Sequence, residues 1–438
     1  GVTRRYTPEL YKDYAFDSAF RNEGNLRMGG GDEKTKYYAS FGFLNDDGYV
    51  IRTSYDRYTT RLNVNSNVKE WLNVGANIGY AYSASANNGQ TNGSENLTEF
   101  SDKMAPIFPV FLRDANYNLV PDPIFGGYQY DYGAVSGKPR PNANNLNPIA
   151  STLFDDVGSK RHELNGNFSM NIKFNDNLTL EGRYGMQYSN DRYKSYTNPF
   201  YGTAVGDGGN LYAQDSERLS QNFLQLLRYK NQFGDHSLEV LAAHESTEYT
   251  YSEDSQFKGL VIVDGLLELD NFVNPLGPPS GYSEGFSIES FFGQVNYDFS
   301  DKYYLTGSVR RDGSSRFINE KWGTFYSVGG AWVMSNESFL KGSNLFTFLK
   351  LKASYGVTGD QAGVGYYSGY DTYNSSFLNG ISISPRSNGN PDLTWEESKM
   401  FQTGVEFSLG KYIDGAVDYY IKKTDNLIFD RRVGPSQG

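Results

Sequence analysis

The sequence of 438 residues contains no cysteine, only three histidines and no excess of basic charge. Without cysteine, the chain cannot form a disulfide scaffold, a Cys-ligated zinc site, an iron–sulfur cluster or a thiol nucleophile. Its 51 acidic side chains outnumber the 40 basic ones. This balance opposes a nucleic-acid-binding surface, because phosphates require a basic face.

Long hydrophobic runs are also missing. The most apolar stretch, residues 259–267, is far shorter than the ~18 residues that a membrane helix needs. The N-terminus, which begins Gly1-Val2, shows neither an initiator Met nor the apolar core of a signal peptide. We therefore expect a mature chain or a fragment.

The abundant residues are those of β-structure. Apolar residues make up 38 % of the chain, yet aromatic residues reach 16 %, with 36 Tyr, 29 Phe and 48 Gly. Aromatic side chains favour pleated surfaces, and Gly favours tight turns. A disordered chain would be poor in aromatic residues. The composition therefore indicates an ordered, β-rich protein.

Apolar and polar residues alternate along much of the sequence. Leu178 and Leu180 alternate with Thr179 and Glu181, and a similar run at 164–174 precedes them across a three-residue turn. A period of two predicts strands, and the turn predicts an antiparallel hairpin. We predict fourteen strands, at residues 22–29, 34–44, 51–65, 71–83, 160–174, 178–189, 218–232, 236–249, 286–299, 302–312, 324–333, 346–357, 398–409 and 412–422. Helices are predicted weakly at 97–104 and 337–341.

The connections between these strands are alternately short and, for the most part, long. Turns such as 175–177 and 300–301 fall on one side of the sheet, and loops such as 84–159 and 358–397 fall on the other. This sorting is typical of transmembrane β-barrels, whose tilted strands need about 9–11 residues to cross the bilayer. We therefore predict an all-β, transmembrane antiparallel β-barrel. A soluble sheet with ordinary cross-strand aromatic packing is the alternative.

In a barrel, the two faces of each strand have different surroundings. Leu180 is predicted to face lipid and Glu181 the wet interior. Pairs of aromatic residues near strand ends are predicted to lie at the membrane interfaces. They include Tyr37/Tyr38, Tyr80/Tyr82, Tyr297/Phe299, Tyr303/Tyr304 and Tyr419/Tyr420.

Several phrases resemble the barrel of SusC/RagA-like TonB-dependent outer-membrane transporters. They are YYASFGFLNDDGY at 37–49 with RYTTRLNV at 57–64, MAPIFPV at 104–110, RRDGSSRF at 310–317, LKASYGVTGDQ at 351–361 and NPDLTWE at 390–396. They occur in the order that the family shows and extend over almost the whole chain. The resemblance identifies residues 1–438 as part of a TonB-dependent-receptor-type β-barrel domain.

The resemblance implies a roughly 22-stranded barrel in the outer membrane of a Gram-negative bacterium. It also implies a plug domain, energy from TonB through an N-terminal region missing here, and a SusD-like surface lipoprotein as partner. The cargo would be oligosaccharide or oligopeptide. The sequence lacks a plug, a TonB box and the final strands of such a barrel, so we expect import to belong to a longer parent.

Two other functions fit the same pattern. One is a passive, porin-like diffusion channel, which would need neither plug nor energy coupling. The other is a soluble secreted glycan-binding β-protein, such as a propeller, but the sequence shows no repeat of about 40–50 residues. No enzymatic activity and no cofactor are predicted, because His162, His236 and His244 are scattered and none has a second ligand at the spacing of a metal site.

Tyrosine-rich loop segments are the predicted contacts for cargo or for the lipoprotein. Aromatic faces can stack on sugar rings, and neighbouring acceptors can bind hydroxyls or a peptide backbone. Packing between loops is the alternative role for these rings. The candidates are Tyr128, Tyr130 and Tyr132 in one loop and Tyr366, Tyr367, Tyr370 and Tyr373 in another.

Overall fold

The computed structural model describes residues 8–88, 96–133, 146–377 and 380–429. Fourteen strands form one antiparallel sheet in chain order, each hydrogen-bonded to the next. They are β1 (Arg21–Gly31), β2 (Thr35–Asp47), β3 (Thr53–Lys69), β4 (Leu72–Asn87), β5 (Asp156–Lys173), β6 (Leu178–Thr197), β7 (Asn210–Phe233), β8 (His236–Val261), β10 (Ser280–Phe299), β11 (Tyr303–Ser314), β12 (Trp322–Val333), β13 (Phe346–Asp360), β16 (Glu396–Leu409) and β17 (Ile413–Asp425).

Three further strands lie outside this path. The short β9 (Phe272–Pro275) pairs with β8, and β14 (Thr372–Phe377) forms a separate hairpin with β15 (Ile381–Ser387). Within the described residues, β1 and β17 each pair with one neighbour, so the sheet is open. Every one of the fourteen predicted strands is present, and the antiparallel barrel-type fold is confirmed.

The strands are longer than the sequence predicted at their long-loop ends. β7 begins eight residues before the predicted start, at Asn210, and β8 continues to Val261. The predicted loops 190–217 and 250–285 are therefore largely sheet. The apolar alternation stops where the outer face leaves lipid, but the backbone ladder continues into water, where neither face needs to be apolar.

The helices are few and short. They are α1 (Lys12–Ala15), α2 (Leu97–Lys103) and α3 (Pro148–Phe154). Asn96 caps α2 by accepting a hydrogen bond from the Glu99 backbone, which confirms that predicted helix. The helix predicted at 337–341 is wrong, because this segment is a turn in which the Glu337 carboxylate binds the side chains of Lys302, Tyr303 and Trp332. Among the described residues no helix is long and apolar enough to cross a membrane.

The two faces of the sheet differ in chemistry. The register places Leu180 opposite Leu227 on one face and Glu181 opposite Leu226 on the other. The first face carries exposed apolar side chains, such as Val309 at 53 % and Val417 at 65 % exposed. The second face is concave and lined by amides, hydroxyls and ion pairs. Both assignments agree with the predicted lipid face and wet interior, which we call the lumen face.

The aromatic pairs at strand ends divide between the faces. Tyr37 and Tyr303 lie on the apolar face, whereas Tyr38 and Tyr304 lie on the lumen face. The predicted interface position is therefore wrong for the second tyrosine of each consecutive pair. Neighbouring residues of a strand point to opposite sides, so one ring of such a pair must leave the lipid face.

The buried apolar clusters of the described residues lie in long-loop segments and at the long-loop ends of strands. The largest cluster, centred on Tyr11, Leu97 and Ile149, joins the segment before β1 to the long loop between β4 and β5. A second cluster surrounds Phe317 and Trp395. A third contains Tyr196, Leu211 and Phe272, between the extended ends of β6, β7 and β9. Each cluster fixes the position of long-loop segments over the same end of the sheet.

The face assignment predicts an asymmetric effect of charge in the full-length protein. Val309→Arg should destabilise the inserted barrel by about 2–4 kcal/mol, because the guanidinium would meet lipid near mid-membrane. Ser308→Arg on the same strand should have little effect, because its side chain faces the polar lumen. Urea titration of the folded, heat-modifiable barrel would measure both. Equal losses would contradict the assignment.

Candidate functional site

An aromatic surface lines the lumen face where β8 and β10 extend beyond the apolar band. Tyr249 and Tyr251 follow the polar register of β8, and Tyr282 and Phe286 follow that of β10. Tyr249 lies opposite Phe286, with ring centroids 5.5 Å apart, and Tyr251 contacts Tyr282 edge-on at 5.8 Å. We call these four residues the vestibule wall.

Tyr366 packs against one side of this wall. It belongs to the long loop between β13 and β16, and its ring stacks on Phe286 at 5.5 Å. The Arg316 guanidinium lies 4.4 Å from the Phe286 ring centroid and 4.8 Å from that of Tyr366. Arg316 also donates hydrogen bonds to the carbonyls of Gln361 and Val364, at 3.2 and 2.6 Å. Arg316 therefore holds the loop against the wall.

Charged groups flank the other side of the wall. The Arg218 guanidinium lies 4.9 Å from the Tyr251 ring centroid, and Arg218 also pairs with Asp191 at 3.2 Å. The Tyr251 hydroxyl donates to the Glu253 carboxylate. Burial, followed by this hydrogen bond, raises the pKa of Tyr251 above its ordinary value. The wall thus offers flat aromatic faces beside fixed donors and acceptors.

The remaining tyrosines of the predicted loop lie in the open. Tyr367, Tyr370 and Tyr373 are 45, 49 and 59 % exposed. Tyr373 lies on β14, and the other two belong to the turn that precedes it. Their exposure leaves the rings free to contact another molecule. Of the four tyrosines predicted here, Tyr366 joins the vestibule wall and the other three lie beside it in sequence.

The first predicted tyrosine group is packed within its own loop. Tyr130 contacts Phe111 and Phe154 at centroid distances of 4.9 and 5.7 Å, and Tyr132 stacks on Tyr201 at 5.9 Å. Burial raises the pKa of both Tyr130 and Tyr132. Tyr128, at 48 % exposed, is the accessible member. Among the described residues, no ring contact joins this group to the second one.

The sequence analysis did not identify the vestibule wall. Tyr249 and Tyr251 occur at alternate positions after Glu245 and Thr247, in the register that elsewhere carries polar side chains. Aromatic residues in a polar register were the available signal. The predicted strand 236–249 ends at Tyr249, and Tyr251 and Tyr282 fall in the predicted loop 250–285, because the apolar alternation of the opposite face ends before them.

The histidines and acids form no metal site in the part of the chain that the structure describes. His162 and His244 lie on the apolar face, where a hydrogen bond of 2.7 Å joins His162 Nδ1 and the Tyr80 hydroxyl and His244 contacts the Phe291 ring at 4.9 Å. These contacts support the packing roles that their register indicates.

A sheet with an apolar outer face, a charged inner face and an aromatic vestibule defines the class of membrane β-barrel transporters. The sequence model of the family described as TonB dependent receptor-like, beta-barrel, matches residues 108–438. The chain therefore belongs to this family, whose members are outer-membrane receptors and transporters. Its architecture is that of a SusC/RagA-like transporter barrel.

Relatives agree with the assignment. The chain is 28 % identical to TonB-dependent receptor P3 of Formosa agariphila over 96 % of this chain and 41 % of the relative. It is 24 % identical to TonB-dependent receptor SusC of Bacteroides thetaiotaomicron over 95 % of this chain and 42 % of the relative. The RagAB peptide transporter superposes with a TM-score of 0.80 at 27 % identity, over 98 % of this chain and 47 % of that one. The chain spans about two fifths of the length of the curated relatives it matches.

The loop attachment at Arg316 is testable in the full-length transporter. Arg316→Gln would remove two cation–π contacts and two charged hydrogen bonds, about 2 kcal/mol in total, and should raise local opening of residues 361–368 roughly thirtyfold. Hydrogen–deuterium exchange would measure this change. Arg386→Gln, at an exposed position of β15, is the control. Unchanged exchange at 361–368 would contradict the attachment.

Proposed function

We propose that residues 1–438 are part of the barrel domain of an importer that takes oligosaccharides or oligopeptides across a Gram-negative outer membrane. The observation that carries this proposal is the vestibule wall, which leads from the long-loop side into a polar, ion-paired lumen. Aromatic faces with flanking acceptors can hold an oligomer without covalent chemistry. The continuous sheet from Arg21 to Asp425 supports a single barrel domain.

A SusD-like surface lipoprotein is the proposed partner on the long-loop side. The packed loop clusters and the exposed rings of Tyr367, Tyr370 and Tyr373 support this choice, because they present a large folded surface above the lumen. TonB is the proposed energy source, acting through a region outside this chain. Outer-membrane lipid is the proposed surrounding of the apolar face. No catalytic step and no cofactor are part of the proposal.

Energy coupling separates this function from that of a passive pore. Deleting the gene of the full-length transporter should abolish growth on one oligomeric nutrient from a panel of glycans and peptides. Removing TonB should reproduce that loss, because gated import needs energy from the inner membrane. Growth rate on each nutrient is the measurement. Growth that depends on the transporter but not on TonB would favour the porin-like channel.

The loop tyrosines should contribute to cargo affinity. Replacing Tyr366, Tyr367, Tyr370 and Tyr373 together with Ser should weaken cargo binding by about tenfold or more, because each lost ring contact contributes about 0.5–1.5 kcal/mol. Isothermal titration of the purified full-length transporter with the growth-supporting nutrient would measure it. Tyr412→Ser, at an 82 % exposed position on the short-turn side, is the matched control. Unchanged cargo affinity in a normally assembled variant would contradict a role in cargo binding and would support packing between loops.

A further inference from the structure

Four basic residues on the lumen face of β1, β2 and β3 stand apart from the ion pairs of the sheet. They are Arg27, Lys36, Arg57 and Arg61, and all four are exposed. Within the described residues, none of them forms an ion pair. We call them the cationic stripe. Unpaired cations on a concave wall are available to bind an anion.

The register brings two of these cations together. Arg27 lies opposite Ser40 on β2, and Ser40 lies opposite Arg61 on β3. Adjacent strands are about 4.8 Å apart, so the two arginines are separated by roughly 10 Å at the backbone. On the next strand, β4, the residue opposite Arg61 is Gly79, which has no side chain. The two guanidinium groups therefore face an open part of the lumen.

The charge balance of this sector differs from that of the remaining wall. Between their turns, β1 to β4 place two acidic side chains on the lumen face, Glu23 and Asp46, and Arg21 pairs with both at 2.8 and 3.6 Å. In the neighbouring sector, by contrast, Glu181 pairs with Arg183 and Arg228. Cross-strand pairs of this kind leave little net field. In the cationic stripe, Arg57 interacts with the Glu23 carboxylate two strands away, whereas Arg27, Lys36 and Arg61 form no ion pair in the part of the chain that the structure describes.

An amide-lined concavity adjoins the stripe. It has a volume of about 890 Å³ and is lined mainly by the lumen faces of β2 to β7. Its amides come from Asn63, Asn65, Asn77, Asn165 and Asn167. The Asn63 Oδ1 atom is buried without a hydrogen-bond partner. Each amide offers both donors and an acceptor, and a sugar hydroxyl can satisfy either.

We propose that the cationic stripe and this amide floor bind an acidic oligosaccharide during its passage, and that the barrel prefers anionic cargo. The amides bind ring hydroxyls, and the four cations bind carboxylate or sulfate groups. An acidic peptide would also meet the cations, but the row of amides beside them favours an oligosaccharide, because each amide can bind a ring hydroxyl as donor or as acceptor. The inference rests on the proposed function and narrows its cargo class.

A cysteine placed between the two arginines tests the field of the stripe. The chain has no native cysteine, so Ser40→Cys can be labelled selectively in a full-length transporter freed of other thiols. An anionic sulfonate methanethiosulfonate should react about tenfold faster than its cationic trimethylammonium counterpart. Adding Arg27→Gln and Arg61→Gln should bring the two rates together. Slow labelling by both reagents would show the stripe to be covered and would overturn the proposal.

The control is Ser354→Cys on the opposite part of the lumen wall. Its neighbour Lys352 is compensated by Glu406 and Asp418 at 2.8 and 3.0 Å, so the two reagents should react there at similar rates. An anionic preference of the same size at both positions would also overturn the proposal, because the field would not be that of the stripe.

Protection of the Ser40→Cys thiol tests the ligand class. Hexagalacturonate should slow its labelling by an uncharged maleimide, whereas maltohexaose and hexaglutamate should not. Protection by hexaglutamate alone would replace the oligosaccharide with an acidic peptide and overturn the proposal, as would protection by none of the three. Protection of the thiol can be measured without TonB, so it tests this site separately from energised import. If growth depends on TonB but no oligomer protects the thiol, the proposed importer function stands and the proposed binding site does not.

Discussion

The pairing of backbone hydrogen-bond groups between adjacent strands is the constraint on which the rest of the structure depends. In a bilayer each N–H and C=O must find a partner within the protein, because lipid offers none. The fourteen strands satisfy this requirement by an uninterrupted antiparallel ladder from Arg21 to Asp425. Short turns join them at one end, which leaves the other end free for loops of almost any length.

A sheet of this kind has no conventional hydrophobic core, and its side chains are distributed accordingly. One face exposes Val, Leu and Phe to lipid, while the other satisfies its charges across strands, as Arg310 does with Glu245 and Asp312 at 2.7 Å. Tightly packed apolar clusters occur where chain leaves the sheet and meets water. Packing within the loops therefore fixes the loop segments at the long-loop end of the sheet, whereas the sheet register fixes the side chains of the vestibule wall.

Single side chains attach these loops to the barrel. Glu9 accepts hydrogen bonds from the Val110 and Phe111 backbone and pairs with Arg113 at 2.5 Å, which ties the segment before β1 to the long loop after β4. Arg316 attaches the loop after β13 to Phe286. Such links hold the long-loop segments in place at one end of the sheet.

The sequence alone determined the strand number, the antiparallel order, the two faces and the sorting of loops, because a period of two and turn residues act locally. Leu180 and Glu181 are examples, because the preference of an apolar side chain for lipid and of a charged one for water decides which face each occupies. The tertiary structure decided what depends on register and on distant contacts. It extended β7 and β8 into predicted loops, packed Tyr130 and Tyr132 against aromatic rings, and assembled Tyr251, Tyr282 and Phe286 from separate strands. The same long-range register placed Arg27 beside Arg61, which no local pattern could show because 34 residues of chain separate them.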